Sequence, residues 1–538
     1  MQVEPNGVVH LLENIPLNNT YQHTIRFTDT TAQYNWFYSK RAHTLNKMTY
    51  QRAESGIMRI QKSVDEVYKC NYLMFQNTGF ASKWFYAFIT GVEYVNNMTT
   101  EITYEIDVMQ TWFVGCELKQ CFIERSHTAT DNIGDNLVAE NFSVSDFTYS
   151  SPQRAFTQEW SFVIVGTLKF NNAGPGSIND WQKVWDTKRA CRTAGNLTFN
   201  HGKLSNEGQL AALEALFGSD DWLGKPDPQQ SLVVGAFMFP HELLEEGNEA
   251  TATTPATFTM SFGLNDAKSG MFEGHGSEIK NNKLFTHPYS CLEISNNEGI
   301  KTELPFEQFD DDNNMTIRVV SDYSPSPVII AYPTGFMGRG TNPEYAVTIS
   351  EMPQLHVGTD PYIQWLTRAK SQFVGAALAT GATIAAAALN PATLPASLSL
   401  GAFAGVEGLS LAGKAGGMLA QGLARKGTEP PQLIGGKSSS SLYGAGELNI
   451  VGHFKSAKWD IVKRIDNYFT TFGYAINNTE QPNIDSRPHW NYIKLSNPTI
   501  TGPAPAQAIS NIANILTNGI TFWHNGDNVG NYSLDNSV

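Results

Sequence analysis

The chain has 538 residues, of which 41% are hydrophobic and 16% are charged. A chain of this length is too long for one compact core, so we expect roughly two to four domains. Acidic residues outnumber basic residues by 51 to 37, which gives a net charge of -14. This balance excludes tight nucleic-acid binding as a leading function, because such binding needs many cationic contacts to phosphate.

The first residues, MQVEPNGVVHLLENIPLNN, lack a basic stretch followed by a long apolar run, so a secretory signal is not expected. The cysteines are odd in number, and their spacing fits neither a disulfide framework nor a zinc site. These residues are Cys70, Cys116, Cys121, Cys191 and Cys291. We therefore expect reduced thiols, no metal and no other cofactor.

Residues 72–113 are dense in the β-branched and aromatic side chains that favour strands. Apolar and polar residues alternate from 101 to 108, which predicts a strand with one buried face. The buried set is Ile102, Tyr104, Ile106 and Val108, and the opposite, acidic face contains Glu101, Glu105 and Asp107. Asn96-Asn97 interrupts the pattern, and Asn tolerates left-handed turn conformations, so we predict a long hairpin over about 83–113.

Residues 145–355 contain short apolar runs at 160–170, 229–239 and 315–323, separated by Gly, Pro and Asn clusters. This pattern favours a mixed α+β region. Glu207–Phe217 is predicted to be a helix, because its leucines recur at intervals of three residues. The usual meaning of such a stripe is packing against a core.

A second predicted helix begins near Asp360-Pro361, where Asp suits the cap and Pro suits the first turn. The pattern stops at Asn390-Pro391, and a Gly/Ala-rich helical pattern resumes after Pro395. No charged side chain occurs from 371 to 406. A Gly/Ser-rich tether at 435–447 follows, and its composition is typical of a flexible linker. After it, strands and one short helix are expected up to the C-terminus.

The uncharged run from Phe373 to Leu389 has 17 residues, near the lower end of the about 17 to 25 that span a bilayer. Its many Ala and Gly residues make insertion of one copy weak, whereas small residues four apart suit close helix contacts. Three interpretations stay open: a permanent transmembrane hairpin, an ordinary buried core hairpin, or a stored segment that is released into a membrane. We favour the third, because it accounts for both the break and the tether.

The residues predicted to carry this membrane activity share apolar character, small size or a place at the helix break. They are Phe373, Val374, Gly375, Leu378, Gly381, Ile384, Leu389, Pro391, Pro395, Gly401, Phe403, Gly405, Gly413 and Gly417.

Motifs for catalysis are weak, so we predict that the chain is not an enzyme and has no catalytic residue. The run DDDNN at 310–314 fails the EF-hand pattern, since Met315 replaces Gly and Ser321 replaces Glu, and an acidic turn is favoured. The glycines of GFMGRGTN (335–342) are attributed to turns, and His524 is expected to be a structural hydrogen-bonding residue. Paired carboxylates that hydrolyse a cell wall stay open, because a sheet can bring any two together.

Several longer motifs resemble those of one family. They are QYNWF (33–37), YLMFQN (72–77), KWFYAFIT (83–90), YEIDVMQTWF (104–113), SRPHWNYIKL (486–495) and NGITFWHNGDNVGNYSLDN (518–536). In this order they resemble the tail knob proteins, the distal tail-tube proteins of small short-tailed double-stranded DNA phages that infect Gram-positive bacteria. The resemblance covers about 20–145 and 450–538, and the family also has an uncharged Gly/Ala-rich stretch where 371–426 lies. No motif was matched within 145–355.

The resemblance implies a mainly β fold with an α+β insertion, and a homo-hexameric tube whose inner β-barrel is shared among subunits. Genome DNA would pass through without specific binding. Glu101, Glu105 and Asp107 would then line the lumen and repel phosphate, although they could equally be solvent-facing residues on the outside. The apolar loops, residues 371–426 here, would plug the tube and later form a channel across the host cytoplasmic membrane.

The expected organisation has four parts. These are an N-terminal tube domain (1–145), a variable distal domain (146–355), the apolar hairpin with its tether (356–446) and a C-terminal tube domain (447–538). Expected partners are a collar or proximal tail tube, a tip protein and the host membrane. The protein would be made in the host cytoplasm and act at the virion tail tip. The alternative is a receptor-binding or carbohydrate-binding tail tip whose apolar hairpin is plain core.

Overall fold

The computed structural model describes residues 6–49, 51–52, 55–77, 83–157, 160–167, 191–194, 197–203, 233–244, 257–297, 299–321, 327–350, 352 and 448–538. The chain divides into two compact units. The first unit contains Met1–Phe147, His275–Tyr289 and Ala457–Val538, and the second contains Thr148–Gly274 and Ser290–Ser456. The fourfold division expected from the sequence stays a prediction.

The strands are β1 Gly7–Glu13, β2 His23–Ile25, β3 Arg41–Met48, β4 Ser55–Ile60, β5 Cys70–Gln76, β6 Trp84–Asn96, β7 Thr99–Ile106, β8 Glu117–Leu118, β9 Cys121–Ser126, β10 Phe147–Tyr149, β11 Gln153–Arg154, β12 Trp160–Thr167, β13 Cys191–Ala194, β14 Leu197–Lys203, β15 Val233–Pro240, β16 Thr257–Phe262, β17 Ser290–Ser295, β18 Lys301–Leu304, β19 Met315–Ser321, β20 Ile329–Thr334, β21 Val347–Ile349, β22 Val451–Ala457, β23 Tyr474–Glu480, β24 Trp490–Ser496, β25 Ile500–Thr501 and β26 Ile520–Trp523. The described α-helices are α1 Thr30–Ser39, α2 Val64–Val67, α3 Val108–Trp112, α4 Leu264–Ala267, α5 Trp459–Phe472 and α6 Ala506–Asn518. The predicted mainly β fold is confirmed.

The first unit contains a six-stranded antiparallel sheet in the order β3-β1-β5-β6-β7-β4. Strand β5 is buried on both faces, since Leu73 and Phe75 join one apolar cluster while Tyr72 and Met74 join another. Helix α1 covers the second face, and its Phe37 stacks on Tyr72 with ring centroids 5.2 Å apart. This double burial explains why β5 is a nearly continuous apolar run rather than an alternating pattern.

The predicted hairpin is confirmed as β6 paired with β7, but it is shorter at its end than expected. The second strand stops at Ile106, and helix α3 follows. The asparagines stabilise the turn through their side chains rather than through a left-handed backbone. Asn96 Oδ1 accepts a hydrogen bond from Met98 N at 2.9 Å, and Asn97 Oδ1 accepts one from Tyr94 OH at 2.6 Å.

A five-stranded sheet in the order β2-β26-β24-β9-β23 joins the two ends of the chain within the first unit. The sequence predicted one short helix near the C-terminus, whereas the structure has two, with 14 residues in α5 and 13 in α6. Each helix buries one apolar stripe. In α6 the stripe is Ala508, Ile512 and Leu516, spaced four residues apart.

The second unit contains three described sheets, with orders β13-β14-β12-β15, β16-β19-β20-β21 and β10-β22-β17-β18, and β11 also pairs with β22. The three apolar runs noted in the sequence form β12, β15 and β19. The described α-structure of this unit is limited to the four-residue α4 and short 3-10 turns. The predicted helix Glu207–Phe217 lies outside the described residues.

Candidate functional site

The predicted membrane-active residues, from Phe373 to Gly417, lie outside the described residues. Of the helices that the structure does describe, none is both long enough and apolar enough to cross a bilayer. The apolar helical pair therefore stays a prediction, together with its role.

The acidic face of β7 is formed by Glu101 and Glu105. Glu105 is exposed, and Glu101 is half-buried with its Oε2 2.7 Å from Arg59 Nε on the neighbouring strand β4. Glu93 of β6 lies directly opposite Glu101 in the register. Ile102, Tyr104 and Ile106 are buried, so the predicted alternation is confirmed over 101–106.

Asp107 does not belong to this face, and the sequence-based expectation is corrected here. The side chain of Asp107 is buried and caps α3, where its Oδ1 accepts hydrogen bonds from Met109 N (3.0 Å) and Gln110 N (3.1 Å). Its Oδ2 accepts a hydrogen bond from Tyr72 OH at 2.9 Å. Burial raises the pKa of Asp107 to about 6 despite these bonds. The alternating pattern does not place Asp107 correctly, because β7 ends at Ile106.

Strand β6 extends past its neighbour β5 towards the hairpin tip. The pairing of β5 with β6 ends at Phe88, whereas the pairing of β4 with β7 continues to Thr100, next to the turn. Tyr94 and Met98 in this tip are each 64% exposed. Exposed apolar side chains that cluster in this way mark a contact surface.

Both edges of the six-stranded sheet are open within the described part of the chain. The outer strand β3 carries the exposed cations Arg41 and Lys47, and its pairing with β1 has register shifts. The other outer strand, β4, has no proline, and its Ile57 is 63% exposed. A regular edge with an exposed β-branched side chain is a template for pairing with another chain.

A buried charge cluster fixes residues 275–289 in the first unit. The Glu140 carboxylate accepts hydrogen bonds from Lys283 Nζ (2.9 Å), from Ala475 N (2.8 Å) and from the Arg125 guanidinium. Burial lowers the pKa of Lys283, and its bonds to Glu140 partly offset this.

The half-buried Asp131 and the buried Asp466 complete this attachment. Asp131 accepts hydrogen bonds from Tyr474 OH (2.6 Å) and Asn282 N (2.9 Å). Asp466 Oδ1 accepts two from Asn281, at 3.1 Å from its N and 2.9 Å from its Nδ2. Burial raises the pKa of both carboxyl groups. The sequence contained no signal for this cluster, because its members are up to several hundred residues apart.

The other residues considered from the sequence have structural contacts. Asp311 Oδ1 accepts a hydrogen bond from Asn313 N at 2.9 Å, which confirms the acidic turn. Gly335 and Gly338 have positive φ angles of 60° and 69°, as turns require. His524 Nε2 is hydrogen-bonded to Ile484 O at 3.2 Å, in agreement with its expected structural role. Among the described residues, no group of three or more His, Cys, Asp or Glu side chains is arranged to hold a metal ion.

Comparison with known proteins extends the resemblance. Residues 255–537 match the model of the C-terminal domain of the Bacillus phage phi29 tail knob protein gp9, and residues 5–117 match the model of the caudoviral major tail protein N-terminus. The tail knob proteins gp9 of Bacillus phages PZA and phi29 are each 24% identical to this chain, and that of B103 is 23% identical. Each alignment covers 98% of this chain and 98% of the relative.

A solved structure shares the fold of this protein. The bacteriophage C1 tail knob protein gp12 superposes with a TM-score of 0.62 at 13% identity, and the superposition covers 99% of each chain. The curated relatives also extend through residues 145–355, where no motif was recognised in the sequence.

The matches at both ends of the chain and the sheet-rich fold define a structural protein of a phage tail. Because the gp9 C-terminal domain model covers more than half of the residues, the chain belongs to the tail knob protein family of short-tailed phages. The resemblance inferred from the aromatic motifs is confirmed.

Proposed function

We propose that copies of this chain join edge to edge into a hexameric distal tail tube, through which genome DNA leaves the particle. The observation that carries the proposal is the open β4 edge with its exposed Ile57. Pairing of this edge with the β3 edge of the next subunit would satisfy both rows of free backbone groups. The contact joins two different surfaces, and such head-to-tail contacts generate rings when the rotation closes.

The lumen of this tube would be lined by the acidic face of β7. Glu101 and Glu105 would recur in every subunit and repel the DNA phosphates, which favours sliding over binding. Asp107 has no part in this surface, because its carboxyl group is buried. The net charge of -14 agrees with a passage that DNA crosses without specific contacts.

The segment 371–426, which has no charged side chain from 371 to 406, is proposed to plug the tube and then to enter the host cytoplasmic membrane. Two weak helices would gain little by insertion alone, since Ala and Gly contribute little to transfer into a bilayer. In a ring, helices from all subunits would associate through small residues such as Gly375, Gly381 and Gly413. The backbone N–H and C=O groups would be hydrogen-bonded within each helix, as the bilayer interior requires, so the assembled helices would form a channel.

The proposed partners and location follow from the position of a knob protein in the phage tail. The protein would bind a collar or proximal tail tube on one side and a tip protein on the other. It would be made in the host cytoplasm and act structurally in the virion, without catalysing a reaction.

Electron microscopy of the purified full-length protein tests the ring. We expect rings with sixfold symmetry that form without other tail proteins. A different rotational symmetry would overturn the hexamer, and a monomer at every concentration would overturn assembly through the sheet edges.

A further inference from the structure

A groove in the first unit lies between helix α6 on one side and β7 with α3 on the other. Its volume is about 840 Å³, within the roughly 300 to 1,000 Å³ typical of sites for small organic ligands. The apolar floor includes Ile106, Val108 and Ile515. Glu105 also belongs to the proposed lumen face and Ser55 begins the β4 edge, but the proposed tube gives no role to α6 or to the groove itself.

One wall of the groove is a row of amides. Gln507, Asn511 and Asn514 line it from α6, and all three side chains are exposed. Their spacing of four and three residues places them on one face of the helix. The whole of α6, AQAISNIANILTN, has no charged residue. The wall therefore offers hydrogen-bond donors and acceptors in a line, with no formal charge.

The opposite wall offers a carboxylate and a hydroxyl group. Glu105 and Ser55 line it, and Glu105 Oε2 accepts one hydrogen bond from Asn19 Nδ2 at 3.2 Å. A carboxylate accepts several hydrogen bonds, so acceptor capacity remains for a ligand. None of the described lining residues is Lys, Arg or His, so the groove disfavours phosphate and other anions.

Two aromatic side chains in the groove have fixed orientations. Tyr21 has a left-handed φ of 53°, which is rare for a bulky residue and often marks a functional position. Its hydroxyl group accepts a hydrogen bond from Val108 N (3.2 Å) and donates one to Ile106 O (3.4 Å). Trp112 is held by Lys83, whose Nζ lies 4.2 Å from the ring centroid.

We propose that this groove binds a short segment of a neutral polysaccharide. Tyr and Trp rings provide apolar surfaces with a polar edge, and these suit the C–H faces of sugar rings. The amides and the Glu105 carboxylate are placed to bind the sugar hydroxyl groups.

The test uses the full-length protein with three neutral probes: chitotetraose, cellotetraose and maltotetraose. Saturation-transfer NMR detects binding, and titration calorimetry measures affinity. We expect at least one probe to bind, and we expect Asn511→Ala combined with Asn514→Ala to weaken that binding by about tenfold or more. Ser510→Ala combined with Thr517→Ala is the matched control, because these exposed α6 residues do not line the groove. The control should bind as the wild type does.

Glu105→Gln supplies a second variant that keeps the size of the side chain. We expect it to weaken probe binding, because a carboxylate is a stronger acceptor than an amide. The proposal is overturned if no probe binds the wild type, or if the Asn511/Asn514 double variant binds with unchanged affinity. It is also overturned if no probe binds and the amide substitutions instead prevent ring formation, since the groove would then hold a second copy of the chain.

Discussion

Asp107 and His127 are buried ionisable residues whose effects on stability have opposite pH dependence. The pKa of Asp107 is raised to about 6 by burial, and burial lowers the pKa of His127 to about 3. The folded state therefore prefers the neutral form of each side chain. Acidification therefore raises the free energy of unfolding through Asp107 and lowers it through His127.

We expect Asp107→Asn to be at least as stable as the wild type at pH 7. Asn retains the oxygen that caps α3, and its Nδ2 can donate to Tyr72 OH in place of the bond that Asp107 accepts. The substitution also removes the cost of a buried charge, which is up to about 3 kcal/mol for a pKa shift from 3.8 to 6. The folded wild type binds more protons than the unfolded chain between these values, so its free energy of unfolding rises as the pH falls from above 6 to below 4. Urea unfolding of both proteins across this pH range measures the difference.

The matched control is Asp107→Ala, which loses the cap and leaves Tyr72 OH without its acceptor. It should be less stable than Asp107→Asn at every pH, by about 1 to 2 kcal/mol or more. An Asp107→Asn variant with the pH dependence of the wild type would contradict the assignment.

His127 should contribute to acid sensitivity of the first unit. Its Nδ1 accepts a hydrogen bond from Tyr492 N (2.8 Å), and its Nε2 is bonded to Thr470 O (3.0 Å), so the neutral ring satisfies both neighbours. Protonation would remove the acceptor for Tyr492. Stability is fully present above pH 6.5 and is lost as the pH falls towards 3, at about 1.4 kcal/mol per pH unit within this window.

His127→Gln tests this prediction, because Gln retains a donor near Thr470 but does not titrate. The difference in unfolding free energy between pH 7 and pH 5 should be smaller in the variant than in the wild type. Equal differences in the two proteins would refute the role of His127.

Sequence patterns predicted the role of only some of these residues. His524 was correctly expected to be structural. Asp107 was misplaced, because a period of two does not show where a strand ends, although Asp directly before a helical turn is a capping signal. The partners of Asp131 and Glu140 were beyond prediction, since long-range contacts leave no local pattern.

At the level of elements, strand β4 is the position where a single substitution should prevent assembly. We expect Ile57→Lys to abolish ring formation, because it replaces an exposed apolar contact with a cation that would approach the exposed cations Arg41 and Lys47 of the β3 edge. The fold should change little, since the side chain is 63% exposed and surface substitutions usually alter stability by less than about 0.5 kcal/mol. Analytical ultracentrifugation measures the assembly state.

The matched control is Tyr68→Lys. Tyr68 is similarly exposed in the same unit, at 60%, but it does not lie on an edge strand. Rings should persist in this variant. Rings that also persist in Ile57→Lys would show that β4 is not the joining edge.

The hairpin was predictable because both its alternation and its turn residues are local signals. The three short apolar runs of the second unit similarly became strands. Helices α5 and α6 were underestimated, because their apolar stripes are mixed with Thr, Asn and Lys residues that also suit loops. The open edges could not be predicted, since strand order depends on pairing between distant segments.

At the level of the whole molecule, the proposed membrane role separates from the tube role. A chain that lacks 371–426 should still form rings, because the described strands of the first unit lie outside this segment. Phage particles assembled with this shortened chain should fail to deliver their genome. Infectious particles would contradict the proposed membrane role of 371–426 but would not contradict the proposed tube.

A synthetic peptide covering 365–430 gives a direct check of membrane activity. We expect dye release from liposomes at pH 5 or pH 7, and more release from the full-length ring than from the peptide. An absence of leakage under both conditions, with either sample, would contradict the channel.

The order of synthesis along the chain determines when the five-stranded sheet of the first unit can form. In the five-stranded sheet, β2 pairs with β26, and β9 pairs with β23 and β24. Strands β2 and β9 are therefore synthesised long before the C-terminal strands with which they pair. A nascent chain on the ribosome must therefore pass through the uncharged stretch before this sheet can close. Prematurely terminated translation products cannot complete this sheet, so a subunit whose first unit is complete has already been translated through 371–426.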